Sequence, residues 1–161
     1  MVRNLLSVTV ESVETPTVSG RRSVALTVDG RRLEVLAAEA EGGLERYPED
    51  PLCGRLPMAV HEVRGPEHYF GVSAVGRPGE SSGEPNRTVL IGCCCGTWEC
   101  APISAVVEVD DDEVRWSHFW NFREEVPALG PFVFDRTAYA AAFAKVVWDD
   151  TGIPDGGWGS Q

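Results

Sequence analysis

The stretch Thr88-Val89-Leu90-Ile91-Gly92-Cys93-Cys94-Cys95-Gly96-Thr97-Trp98-Glu99-Cys100-Ala101-Pro102-Ile103-Ser104-Ala105-Val106-Val107-Glu108-Val109 constrains the chain most. Two apolar, β-branched runs flank a short polar segment, the signature of a β-hairpin, and four of the five cysteines fall where the runs meet that segment. With Gly96 to Glu99 as the loop, Cys95 faces Cys100, Cys94 faces Ala101 and Cys93 faces Pro102. Side chains alternate between the faces of a strand. Cys93, Cys95 and Cys100 then share one face, and Cys94 joins Ala101, Ile103, Ala105, Val107 and Val109 on the apolar core face, where a free cysteine acts as a small hydrophobe.

Three thiols on one face raise three chemical readings. Zinc takes four Cys or His ligands in a tetrahedron, and Cys93, Cys95 and Cys100 are the candidate metal ligands, with Cys53 or His61 as a possible fourth. Against zinc stands the Cys93-x-Cys95 spacing, which is that of a strand rather than of a metal knuckle. Oxidation could bridge Cys95 and Cys100, but no Cys-x-x-Cys opens a helix, the arrangement that lowers a thiol pKa. A Cys-His hydrolase needs its base within reach of the thiol, and His61, His68 and His118 bear no signature spacing to any cysteine. The favoured reading is a reduced, structural cluster. There is no Ser elbow, P-loop or dinucleotide fingerprint, and Asp110-Asp111-Asp112-Glu113 lacks the glycine and alternating ligands of a calcium loop.

Alternation extends beyond the hairpin. Leu6, Val8 and Val10 alternate with polar residues and predict a strand over 5–14. Ser23–Val28 and Arg31–Leu36, joined by Asp29-Gly30, predict a two-residue hairpin pairing Leu26 with Leu33 and Val24 with Val35. The pairs Arg21-Arg22 and Arg31-Arg32 flank that hairpin and read as a solvated edge. Beyond the acidic turn, Val114–Trp120 returns as a third strand of a meander. Pairing Val107 with Trp116 and Ala105 with His118 puts His118 on the core face, unless a β-bulge reverses it.

Between 37 and 86 the pattern lapses into Gly, Pro and charge, the composition of binding loops. Within it His68–Val75 suggests a strand, Pro57–Val63 fits strand or helix equally, and 76–86 reads as a loop. Asp135 is a good N-cap for a helix that puts Tyr139, Ala142, Phe143, Val146 and Val147 on one face. Phe134 packs on Tyr139 as a staple, and Gly152 and Pro154 are the expected stop. The fold class is therefore α+β: a mainly antiparallel β-sheet of hairpins and a meander, with a C-terminal helix packed on the sheet, in one domain over 1–154 with a flexible tail at 155–161.

The 161 residues suffice to bury about two-thirds of the unfolded chain's surface. Acidic residues outnumber basic ones by 25 to 14, and the basic ones do not cluster, which speaks against nucleic acid and anionic membranes as partners. No segment approaches the roughly 20 apolar residues of a membrane helix, and the N-terminus breaks into alternation before a signal-peptide core forms. Five cysteines, three of them adjacent, fit a reducing compartment, so a cytoplasmic location is expected.

The residues Leu90-Ile91-Gly92-Cys93-Cys94-Cys95-Gly96 and Cys100, then Val114-x-Trp116-Ser117-x-Phe119, then Gly130-Pro131-Phe132-Val133-Phe134-Asp135 with Tyr139, resemble a bacterial family of uncharacterised proteins. Its pattern is a Cys-x-Cys-Gly tip, a Val-x-Trp-x-x-Phe strand and a closing Phe-Asp-x-x-x-Tyr helix. The resemblance covers about residues 88–145, departs at Trp120-Asn121-Phe122-Arg123, and implies no activity, cofactor or catalytic residue. The expected function is a non-enzymatic binding or accessory protein using the 40–86 region and the aromatic tip as contact surface, to which Tyr69, Trp98 and Trp120 would be suited wherever they are exposed. Its ligand, protein or small molecule, is unspecified. A zinc-binding protein is the alternative and a thiol-based enzyme the third.

Overall fold

The structure, a computed structural model, describes residues 3–14, 18–42, 55–71, 87–93, 102–121 and 124–148. Eight strands form one antiparallel sheet: β1 (Leu6–Val13), β2 (Arg21–Val28), β3 (Arg31–Arg32), β4 (Arg55–Ala59), β5 (Arg87–Cys93), β6 (Ile103–Val109), β7 (Glu113–Trp120) and β8 (Phe132–Asp135). The order is β1-β2-β4-β5-β6-β7-β8, with β3 beside β2. Three helices complete the described fold, α1 (Leu33–Ala40), α2 (Val60–Val63) and the C-terminal α3 (Arg136–Ala144), with a 3₁₀ turn at Pro66–Phe70. The mainly antiparallel α+β class expected from the sequence is the one observed.

Period-two alternation holds where a strand buries one face. In β1, Leu6 and Val8 are buried while Ser7 and Thr9 are exposed, and in β6 Ile103, Ala105 and Val107 are buried. Asp29 and Gly30 turn at φ 53° and 84°, positive values that suit a two-residue hairpin loop. The returning arm, however, pairs for only two residues, Val28↔Arg31 and Thr27↔Arg32, before the chain turns into α1. The expected strand over 33–36 is thus replaced by helix. The place opposite Val24 that Val35 would have taken belongs to Met58 of β4. Leu33, Leu36, Ala37 and Ala40 recur at helical spacing, Leu33 and Ala37 are buried, and Val35 is left exposed.

Pro57–Val63 is strand and then helix, changing at Ala59/Val60, where the Glu62 carboxylate reaches back to the Ala59 N–H at 3.1 Å. The start of the strand expected at His68–Val75 is instead the 3₁₀ turn, and 72–75 lie outside the described residues. The turn delivers His68 and Tyr69 into the core. The 76–86 loop, Gly152, Pro154 and the tail are likewise outside the described residues. The acidic turn is a capped turn: the Asp110 carboxylate accepts from the N–H groups of Asp112 and Glu113, which holds its pKa below the usual carboxylate range.

The two ends of the sheet meet. Asn4 bridges Phe134 in parallel, its N–H donating to the Val133 carbonyl at 2.7 Å and its Oδ1 accepting from the Val133 N–H at 2.8 Å. The same side chain donates to Asp29. The bridge ties the chain just before β1 to β8 at one point, which shortens the stretch open to edge-to-edge association.

Asp135 caps α3 by accepting from the Ala138 N–H at 2.9 Å, and the Phe134 and Tyr139 rings lie 5.4 Å apart as the staple requires. Tyr139, Ala142, Phe143 and Val146 are buried, whereas Val147 is exposed, because α3 ends at Ala144 rather than near Asp149. At the centre of the core the Trp116 Nε1–H donates to the Tyr139 hydroxyl at 3.0 Å, and that hydroxyl donates to the Tyr69 carbonyl. The Tyr69 ring stacks on Phe143 with centroids 4.5 Å apart.

His68 carries the clearest pH signature of the core. Its Nε2–H donates to the Val89 carbonyl at 2.7 Å, and burial pulls its pKa down to about 4, partly opposed by that hydrogen bond. The unfolded chain protonates His68 near 6.5 while the folded one resists until about 4, so stability is full above 6.5 and declines as pH falls toward 4. Between pH 7 and 4.5 this group alone is expected to remove about 2–3 kcal/mol. Urea unfolding at the two pH values should show that difference shrink in His68→Gln, and an unchanged difference contradicts the assignment.

Candidate functional site

The site begins with a register break. β6 and β7 pair regularly from Val109↔Val114 to Val106↔Ser117, then resume at Ser104↔Trp120, so Ala105 is opposed by both His118 and Phe119. This is a β-bulge, and His118 is its strained member at φ 52°, a backbone region uncommon outside glycine. The bulge reverses the face expected for His118. Phe119 turns inward and is buried against Phe132, while the His118 side chain is 67% exposed.

A bulge leaves backbone groups without ladder partners. Arg87 of β5 supplies one. Its buried guanidinium donates through Nη1 to the His118 carbonyl at 2.8 Å, reaches Ser104 Oγ at 3.5 Å and lies 5.9 Å from the centre of the Trp120 ring. Arg87 therefore crosses β6 to hold the outturned segment of β7.

Beyond β7 the chain doubles back. Asn121 Oδ1 accepts from the Glu124 N–H, Trp120 bridges Glu125, and the Val126 N–H donates to the Phe119 carbonyl at 2.8 Å. Asn121 is tied down from below: its Nδ2 donates to Glu41 Oε2 at 2.8 Å, and the same oxygen accepts from Arg55 at 3.2 Å. This ion pair is almost fully buried, with side chains 5% and 2% exposed. Removing one partner of such a pair strands the other charge, so the trio fixes the turn that carries Glu125. Gly130 then passes over Phe119 at φ 73°; a Cβ there would meet the ring at 2.8 Å.

Between β6–β7 and this returning segment lies a groove of about 470 Å³. Phe119, Val126, Pro127, Leu129 and Pro131 give it an apolar wall, and Glu108, Arg115, Ser117, His118 and Glu125 give it polar groups. Glu108 and Arg115 oppose each other across the ladder, a favourable pairing of opposite charges. His118 Nδ1 lies 3.2 Å from the Glu125 carboxylate. With Nδ1–H donating there, Nε2 of the neutral ring is left as a hydrogen-bond acceptor. The ensemble presents an acceptor, a guanidinium, a hydroxyl and carboxylates beside apolar surface, which is the equipment of recognition.

The thiols are placed only in part. Cys93 ends β5, its backbone opposite Arg55 of β4, while Cys53, Cys94, Cys95 and Cys100 lie outside the described residues. The β5–β6 ladder runs Val89↔Ser104 and then Ile91↔Ile103, where the expected register would set Ile91 opposite Ser104, so the hairpin is offset from the expected register along its whole described length and an irregularity of one residue lies between Val89 and Ile91. His61 is half-buried on α2. Among the described residues no three Cys, His, Asp or Glu side chains form a metal-binding group. Sequence reasoning missed Arg87, Glu41, Asn121 and Glu125. The signal for the bulge was present: apolar positions run Val114, Trp116 and then Phe119, a step of three where regular alternation steps by two.

Fold and site together define an antiparallel β-sheet protein with an amphipathic groove beside a bulged strand. In comparisons with protein-family models, curated proteins and solved structures, the chain matches none. No helix among the described residues is long and apolar enough to cross a membrane.

The bulge makes an unusual mutational prediction. In a regular strand Val is favoured and Gly disfavoured. At position 118 the order should invert: His118→Gly stays within about 1 kcal/mol of the parent, because glycine takes positive φ freely, while His118→Val loses about 1–2 kcal/mol. Urea denaturation of the two variants checks this, and the regular-strand order would contradict it.

Proposed function

We propose that this is a non-enzymatic binding protein whose ligand, a small polar molecule with an apolar portion, occupies the groove beside the β7 bulge, with α3 packed on the sheet supporting the strands from the other side. The supporting observation is the bulge itself. A strained, solvent-exposed histidine turned out of a strand and held by a buried arginine costs stability, and such outliers gather at ligand sites. The groove's volume lies in the usual range for small-molecule sites, and its few polar groups beside an apolar wall suit orientation of a ligand. The His118 imidazole meets the Glu125 carboxylate at hydrogen-bond range, which orients the ring at the mouth of the groove.

Thermal-shift measurements against amino acids, nucleotides, sugars and sugar phosphates test the reading. One class should stabilise the parent, and the shift should vanish in His118→Gly and in Arg115→Ala. A panel without a response, or stabilisation that survives both variants, contradicts it. Conversion of the stabilising compound, followed by one-dimensional NMR, would contradict the non-enzymatic part.

The second reading is zinc held by Cys93, Cys95 and Cys100. It draws support from the antiparallel pairing of β5 and β6, whose last ladder pair, Ile91↔Ile103, brings both ends of the 92–102 connection to one end of the sheet. Metal analysis of protein purified without chelator should then find about one zinc per chain, lost in Cys95→Ser. Metal-free protein with five titratable thiols contradicts it.

A further inference from the structure

The groove beside β7 carries polar groups that the protein leaves unused. Glu125 is engaged with His118. Arg115 and Glu108 stand opposite each other on β7 and β6, yet among the described residues neither side chain makes a hydrogen bond or an ion pair. An exposed pair of this kind contributes little to stability, so leaving it open costs the fold little.

Ser117 follows Arg115 on the same face of β7, two residues along. It is only 9% exposed and lines the groove, and its hydroxyl makes no hydrogen bond among the described residues. That oxygen is not fully enclosed, so a molecule in the groove can reach it. A hydroxyl set so deep without a partner is a position that native structures ordinarily fill.

The unused groups are thus a carboxylate and a guanidinium across one rung of the ladder, with a hydroxyl next to the guanidinium. An anion drawn to Arg115 would lie beside Glu108, and a cation drawn to Glu108 would lie beside Arg115. Each arrangement sets like charges together and loses affinity. A molecule that carries both charges close together meets each group with the right sign. Arg115 offers the planar fork that suits a carboxylate, Ser117 a further donor, and Glu108 the acceptors that an ammonium requires. Val126, Pro127, Leu129 and Pro131 supply the apolar wall alongside.

We propose, on the reading of this groove as a binding site, that its ligand is a free α-amino acid with an apolar side chain. Arg115 and Ser117 receive the carboxylate, Glu108 receives the ammonium, and the wall at Val126, Leu129 and the two prolines receives the side chain. A polar side chain would be desolvated there without a partner. Peptides are disfavoured by the same chemistry, because amide formation at either end removes one charge or carries it away from the other.

NMR titration of the full chain tests the assignment. The probes are L-leucine, leucinamide, which lacks the carboxylate, and N-acetyl-leucine, which lacks the ammonium. L-leucine should shift the backbone amides of residues 115–119, 126 and 129, and each blocked compound should bind about tenfold more weakly or worse. Arg115→Gln should close the gap between L-leucine and leucinamide, and Glu108→Gln the gap between L-leucine and N-acetyl-leucine, because each variant removes the partner of the missing charge. Blocked compounds that bind as well as L-leucine, or gaps that persist in the matching variants, overturn the proposal. If a sugar or a nucleotide shifts the same amides and L-leucine does not, the groove remains a binding site and the amino-acid assignment falls. If no compound moves them, both fall. The comparison of compounds on the parent protein decides the matter even if a variant does not fold.

Discussion

A single inserted residue in β7, held in place by one buried arginine, governs both the packing and the surface of this protein. With His118 as the extra residue, Phe119 regains the core face and joins Phe132, while Trp120 returns to the face of Ser104 and Arg87. Were the intact chain to pair here without the bulge, every residue after Ser117 would change sides, the consequence of a period of two. The imidazole would enter the core and the phenyl ring would face water. The Arg87 guanidinium makes the insertion tolerable by donating to the carbonyl that the ladder cannot serve. Core packing and groove formation are thus one event.

The rest of the fold presents that event to solvent. The bridge from Asn4 to β8 joins the ends of the sheet, and the Trp116, Tyr139 and Tyr69 hydrogen bonds link β7, α3 and the 3₁₀ turn through the centre of the core. The Glu41, Arg55 and Asn121 trio ties the turn after β7 to the end of α1 and to β4. Breaking a buried charged network by removing one member costs far more than any surface pair contributes, so the position of Glu125 is set by the interior.

Much of the strand framework can be read from the letters, because a half-buried strand writes its faces alternately: β1, β6 and most of β7 follow that rule, and Asp29-Gly30 and Asp135 are local signals for a turn and a cap. Residues 33–36 fit a strand and a helix at once. What decides between them is Met58, which takes the edge of β2 opposite Val24, and no local pattern reports competition from a residue so far along the chain. His118 was misplaced because alternation was carried through the step from Trp116 to Phe119 that marks the bulge. The partners Arg87, Glu41, Asn121 and Glu125 were invisible for a different reason: each acquires its meaning from polar groups that only the fold brings beside it. The hairpin of β5 and β6 was found, but its ladder slips by one residue between Val89 and Ile91.

Deletion scanning along β7 tests the central claim most directly. Removing His118 should regularise the strand, leave Phe119 opposite Ala105, and give a cooperatively folded protein whose β6 and β7 amides remain protected from hydrogen exchange. Removing Arg115 instead should shift the register and put the side chains on one side of the cut onto the wrong face, abolishing cooperative unfolding. If deletion of His118 proves as disruptive as deletion of Arg115, His118 is not the inserted residue and the account of both core and groove is wrong.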